Sequence, residues 1–205
     1  MQPLLIFDLD ETLFHTCHLP LQGQSLQMWQ TSMEAQLLDS LPADAVLEDP
    51  YFRYSCYKRP GIDEFLLKLQ SLPFDLAVWT SSTKEYAHFF LRALFPADFI
   101  DKLIFIWSRK DCQIKRTWLR RHPFFYKDLS KVVEVFAYSL EQILMIDDTP
   151  HKVCKQPENL LLMPPWTGDP QDQALADLFE FLAQIPDNVN FRRLKKKNWQ
   201  ATNLP

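Results

Sequence analysis

Glycine is scarce: the 205 residues contain three, Gly23, Gly61 and Gly168. Neither a Walker P-loop nor a GxGxxG dinucleotide turn can be written with them, so any phosphate chemistry uses another device. Four cysteines, Cys17, Cys56, Cys112 and Cys154, form no CxxC pair and no dense framework, which fits a reducing compartment. Apolar runs are short. None approaches the roughly 18 to 20 residues that cross a bilayer, and the opening MQPLLIFDLDETL has no cationic start. The expectation is a chain without a membrane span, intracellular and either cytoplasmic or nuclear. Positive charge is missing from the first 52 residues, which carry eight acids and no Lys or Arg.

Aromatics, by contrast, are plentiful: 16 Phe, 6 Tyr and 6 Trp, in a chain that is 47% hydrophobic. A globular chain of this length buries about 70% of its unfolded surface, which excludes general disorder. Positive charge is concentrated in two places. Arg109 to Lys131 holds eight basic residues against Asp111 and Asp128, and Arg192, Arg193, Lys195, Lys196 and Lys197 make a basic C-terminal tail. The first strip suits phosphate-bearing or acidic partners. The expected organisation is one domain over residues 1–186 and a tail over 187–205.

Three apolar runs end on polar residues: Pro3 to Phe7 at Asp8, Phe74 to Trp79 at Thr80, and Gln142 to Ile146 at Asp147. Each reads as a buried strand, and helical patterns fall between them at Ile62 to Gln70, Thr83 to Leu94 and Ser130 to Tyr138. Further strands are expected at Tyr51 to Tyr57, Leu103 to Trp107 and Leu160 to Leu162, and further helices at Leu26 to Leu38 and Gln171 to Gln184. The alternation predicts an α/β fold with a parallel sheet.

Ligands of such sheets bind beyond the carboxyl ends of the strands. Those ends carry Asp8-Leu9-Asp10-Glu11-Thr12, Thr80-Ser81-Ser82 and Asp147-Asp148. Converging carboxylates and a hydroxyl suit a hard cation such as Mg²⁺ and a phosphoryl group, and Lys127, just before a helix, can supply fixed positive charge. The two-residue spacing of Asp8 and Asp10 lets the first carboxylate attack phosphorus while the second serves the leaving oxygen as acid and then base. A donor near neutrality requires a raised Asp10 pKa; crowding by Asp8, Asp147 and Asp148 pushes that way while a bound metal pushes back, and the sequence leaves the balance open.

The set DLDETL, KRPG (Lys58 to Gly61), WTSS (Trp79 to Ser82), RKDC (Arg109 to Cys112), YKDL and IDDTP resembles the haloacid dehalogenase superfamily. Within it the chain resembles the FCP/SCP branch, phosphatases of the RNA polymerase II C-terminal repeat, also called the NLI-interacting-factor family. The resemblance implies a Rossmann-like central parallel sheet with a small insertion between the second and third motifs and no large cap. It implies an Mg²⁺-dependent phosphoserine/phosphothreonine protein phosphatase with Asp8 as nucleophile, Asp10 as general acid/base and backbone metal ligand, and Thr80 and Lys127 binding phosphate. Asp148 would bind the metal, Asp147 would hold Lys127 or the metal's waters, and Thr12, Ser81, Tyr86 and Arg109 would border the substrate. His18 and Thr83 depart from the apolar groups that receive a proline in the small phosphatases, so a following proline is expected to matter less. The expected partner is a phosphorylated protein or peptide, not nucleic acid, with the chain acting as a monomer. Its rivals are a small-molecule or nucleotide phosphatase and a catalytically silent binding module like the family's relative in the mitochondrial translocase.

Overall fold

A computed structural model describes residues 2–17, 28–29, 55–116, 123–197 and 199–201. Its centre is strand β1 (Leu4–Phe7), all four residues of which are buried. β1 pairs in parallel on both sides, with β5 (Asp75–Trp79) at Leu4↔Asp75 and with β9 (Ile143–Asp147) at Leu4↔Ile143. Adding β6 (Leu103–Trp107) and β10 (Leu160–Leu162) gives a five-stranded parallel sheet in the order β10-β9-β1-β5-β6. The expected α/β class and central parallel sheet are present, with strand bounds within a residue or so of the expected ones.

Successive strand residues face opposite sides of a sheet, so a strand buried on both faces must be apolar without interruption. Leu5, Phe7, Leu76, Val78, Leu144 and Ile146 join one core, and Leu4, Ile6, Ala77, Trp79, Ile143 and Met145 join the other. The first core is covered by α1 (Ile62–Leu69), α2 (Lys84–Leu94) and α5 (Ala174–Ala183). Between α2 and β6 a single turn, α3 (Ala97–Ile100), adds Phe99. The second core is covered by α4 (Ser130–Phe136) and the following Tyr138.

Helix boundaries follow local chemistry. Gly61 takes the left-handed φ of 77° that lets the chain turn from Pro60 into α1. Thr83 caps α2, its Oγ1 accepting from the Tyr86 amide at 3.3 Å. The expected helix Ser130 to Tyr138 ends early, at Phe136, because Ala137 turns left-handed at φ 58°. The expected Gln171 to Gln184 starts late, at Ala174, whose amide donates to Asp172 Oδ1 at 3.1 Å.

One expected element is corrected. Within the proposed helix Leu26 to Leu38, Met28–Trp29 form strand β3, whose backbone pairs with β4 (Ser55–Lys58) at Met28↔Tyr57. The remainder of that helix lies outside the described residues, as do Tyr51 to Tyr54 of the expected strand. β4 also pairs antiparallel with β2 (Phe14–Cys17), giving a three-stranded sheet in the order β2-β4-β3. In the small insertion between the second and third motifs, the described residues include a two-stranded ribbon, β7 (Gln113–Lys115) with β8 (Phe124–Tyr126). Beyond α5, Phe191 and Trp199 are buried in the first core, so the segment set apart as a tail carries core side chains.

Arg59 fixes the loop after β1. Its side chain is fully buried, donating to Thr12 O at 2.8 Å and Pro164 O at 3.0 Å, and forking onto Asp172 at 2.8 and 2.9 Å. A planar guanidinium satisfies two loops and a carboxylate at once, which lysine's point charge cannot do. Arg59→Met should cost about 3–5 kcal/mol, because Asp172 is left without its cation, and adding Asp172→Leu should restore part of the loss. Urea unfolding of both variants checks this, and an Arg59→Met loss below about 1 kcal/mol would contradict the latch.

Candidate active site

The sheet brings three strand ends together. Asp8 leaves β1 with its amide bonded to Ile146 O at 2.9 Å, Thr80 leaves β5 bonded to Trp107 O at 3.0 Å, and Asp147 closes β9. All three are fully buried, as is Lys127, which follows β8. Lys127 reaches both acids: its Nζ lies 2.9 Å from Asp8 Oδ1 and donates to Asp147 Oδ2 at 2.6 Å. On the other oxygen of Asp8, Lys152 Nζ donates to Oδ2 at 3.0 Å. Asp8 is thus gripped from two sides by ammonium groups.

This arrangement separates the carboxylates electrostatically. Burial pushes the Asp8 pKa up, but Lys127 and Lys152 overcome it and hold the group below its usual value, so Asp8 stays ionised. For Asp147, burial and the negative charge of Asp8 outweigh both lysines and push it up to about 6. Asp10 is also raised, first by burial and then by Asp8, against the pull of its hydrogen bonds. Of the crowding acids considered from the sequence, Asp8 is the one that raises Asp10, and burial is the larger cause.

Asp10 occupies a separate niche. Its Oδ1 accepts from the Tyr86 hydroxyl, its Oδ2 accepts from Ser82 Oγ at 2.9 Å, and the Tyr86 oxygen is 2.8 Å from Thr16 Oγ1. The next residue, Glu11, holds a left-handed φ of 58°, its side chain bonded to His15 Nδ1 at 2.8 Å. Non-glycine residues seldom adopt that conformation, and here it turns the chain straight after Asp10.

One carboxylate oxygen from each of Asp8, Asp147 and Asp148 lies within 4.8 Å of the others. Asp148 Oδ1 is buried without a hydrogen-bond partner, while Oδ2 accepts from Thr149 Oγ1 at 3.1 Å. Three converging carboxylates with one oxygen unspent fit a hard, oxygen-seeking cation. The Asp10 carboxylate stands outside this group.

The other expected residues divide. Thr80 Oγ1 accepts from the Ser82 amide at 3.0 Å, so its O–H remains able to donate to a ligand. Thr12 is fully buried and tied to Arg59 through its carbonyl, with Oγ1 unpartnered. Ser81 contributes its carbonyl, which accepts from Arg109 Nε at 2.8 Å, and Arg109 also packs over the Phe125 ring at 5.3 Å. Tyr86 is engaged with the acid Asp10 through its hydroxyl. Thr83 is committed to capping α2, and His18 lies outside the described residues. Ser82 and Lys152 were not singled out from the sequence. Ser82 stood inside the WTSS block; nothing local marked Lys152.

The comparisons with known proteins follow this geometry. A family model described as NLI interacting factor-like phosphatase matches residues 3–192. The CTD nuclear envelope phosphatase 1 homolog of Caenorhabditis elegans is 28% identical over 203 residues, covering 97% of this chain and 72% of its own length. Nuclear envelope morphology protein 1 of Saccharomyces cerevisiae is 28% identical over 199 residues, 93% of this chain and 40% of the relative. The mitochondrial import inner membrane translocase subunit tim50 of Neurospora crassa is 31% identical over 153 residues, 72% of this chain and 25% of the relative. This chain thus spans less than half of the latter two. Since the match runs from before β1 to beyond α5 and takes in every strand end that carries a site residue, the chain belongs to the NLI interacting factor-like phosphatase family.

Proposed function

We propose that the chain is an Mg²⁺-dependent protein serine/threonine phosphatase that works through a phosphoaspartyl intermediate on Asp8. The observation that carries the reading is the contrast between two neighbouring carboxylates, Asp8 held ionised by Lys127 and Lys152 and Asp10 raised by burial. An ionised carboxylate can attack, and a carboxyl group with a raised pKa can donate a proton.

In the first step an Asp8 oxygen bonds to phosphorus, the ester P–O bond breaks, and Asp10 protonates the departing alkoxide of the phosphoserine or phosphothreonine. In the second, Asp10 removes a proton from water as its oxygen attacks phosphorus, and the acyl phosphate bond breaks to return Asp8 and inorganic phosphate. Lys127 balances the phosphoryl charge, and the Thr80 hydroxyl donates to a phosphoryl oxygen. Tyr86 and Ser82 hold Asp10 in position. Asp8, Asp148 and the Asp10 carbonyl would hold the metal, with Asp147 keeping Lys127 in place; bound Mg²⁺ supplies positive charge against the phosphoryl oxygens.

The protein substrate is supported by relatives named as CTD nuclear envelope phosphatases. It is also supported by the insertion, which among the described residues is a short ribbon and not a folded lid. On the basic strip, Lys127 is buried in the site and Lys131 is taken up by Asp111 Oδ1 at 2.9 Å. Lys110, Lys115 and Arg116 are exposed, with no ion-pair partner among the described residues. Arg120 and Arg121 lie outside those residues. Exposed cations beside the site favour acidic flanks on the phosphopeptide.

Asp8→Asn should abolish hydrolysis of an aryl phosphate, since a neutral amide is no nucleophile. Turnover within about tenfold of wild type, in protein free of other phosphatases, would remove Asp8 from the reaction, whereas a wild type with no turnover would favour the silent binding-module reading.

Chelation by EDTA should abolish turnover and Mg²⁺ should restore it, while Asp148→Ala should raise the Mg²⁺ concentration needed for half-maximal rate. Full activity in excess EDTA would make the carboxylate cluster structural.

With matched phosphoserine peptides, acidic flanks should raise kcat/KM by about tenfold at low salt, and a following proline should matter less than the flanks. Added salt should shrink the gain, and the pair Lys110→Glu and Arg116→Glu should remove it without changing aryl phosphate turnover. A hundredfold preference for proline with no flank effect would contradict this reading, and sugar phosphates outrunning every phosphopeptide would favour the small-molecule alternative.

A further inference from the structure

Lys152 is the charged group of the site that no motif anticipates. It sits on the short turn Pro150–Val153, directly after Asp148 and Thr149. Its amide donates to Thr149 O at 3.0 Å, and its carbonyl accepts from the Lys127 amide at 2.6 Å, so the two lysines are tied backbone to backbone. Their side chains differ in freedom. Lys127 is 1% exposed and clamped between Asp8 and Asp147, whereas Lys152 is 17% exposed and holds one oxygen, Asp8 Oδ2 at 3.0 Å.

The charges of Asp8, Asp147 and Asp148 act on Lys152, which in turn acts on Asp10. The first three are also the carboxylates that each place one oxygen within 4.8 Å of the others. An ammonium and a divalent cation drawn to the same three groups repel each other at close range, and the local screening by solvent is weak. Resting on the metal-dependent reading above, we propose that Lys152 is a tethered competitor for the divalent cation, its ammonium giving up Asp8 Oδ2 when the metal binds. The four-carbon stem allows the head to swing outward while the turn stays in place, an option closed to Lys127. The intramolecular cation keeps the buried carboxylates neutralised and sets the metal affinity of the site below what three acids alone would give.

Isothermal titration of Mg²⁺ into wild type, Lys152→Gln and Lys152→Met tests this directly. Lys155→Gln is the control, because Lys155 is more than half exposed and pairs with Asp128 at 2.8 Å. The Mg²⁺ dissociation constant should fall by about tenfold or more in both Lys152 variants and stay unchanged in the control. An equal or larger constant in the Lys152 variants, with wild type still binding Mg²⁺, would overturn the competition alone. Absence of Mg²⁺ binding in every protein would overturn it together with the metal-dependent reading. A measurement on wild type guards against variants that do not fold: Mg²⁺ should raise the acylation of Lys152 by an amine-reactive reagent several-fold relative to Lys155, read by peptide mass spectrometry. Unchanged labelling on Mg²⁺ saturation would contradict the proposal.

Discussion

The charge cluster formed by Lys127 and Lys152 on Asp8 and Asp147 is the constraint around which the molecule is arranged. Removing a carboxylate from water is unfavourable unless a cation accompanies it, and leaving one such partner unpaired costs about 3–5 kcal/mol. Asp8 and Asp147 are fully buried at the ends of adjacent strands, where their charges reinforce each other. Lys127 makes that placement tolerable by bridging them, and Lys152 adds a second cation on the far oxygen of Asp8. The outcome is a division between acids of one residue type: Asp8 is kept ionised while Asp10 and Asp147 are pushed upward.

The fold supplies the precision this cluster needs. Parallel pairing puts β1 between β5 and β9, so three strand ends open on the same edge. The positions of the lysines come from elements outside that trio: β8 delivers Lys127 and the turn after β9 delivers Lys152, with one backbone hydrogen bond joining them. Arg59 secures the loop that follows Asp10 from a third direction, and Tyr86 and Ser82 secure the Asp10 carboxylate from α2 and its entry. Asp10 is therefore fixed by hydrogen bonds and Asp8 by charge, which suits the proposed roles of acid and nucleophile.

Much of this was legible in the chain. Strands buried on both faces must be continuously apolar, so β1, β5 and β9 stood out as runs, and the polar residues terminating them were the natural site candidates. What escaped depends on partners remote in sequence. Arg59 and Asp172 are 113 residues apart, and no local pattern marks Lys152 as the second cation on Asp8, 144 residues away. Tyr86 was read as bordering the substrate; that its hydroxyl also engages Asp10, a contact across 76 residues, had no local signal. Met28 and Trp29 read as helix because β pairing is decided by the partner strand, here β4, and not by the two residues themselves.

The central claim is that Asp8 attacks phosphorus. Rapid acid quenching during turnover, followed by borohydride reduction and peptide mass spectrometry, converts an acyl phosphate on an aspartate to homoserine and reports its position. The account predicts homoserine at position 8 and at no other aspartate. Homoserine at another aspartate, or phosphate recovered on a histidine, would contradict it.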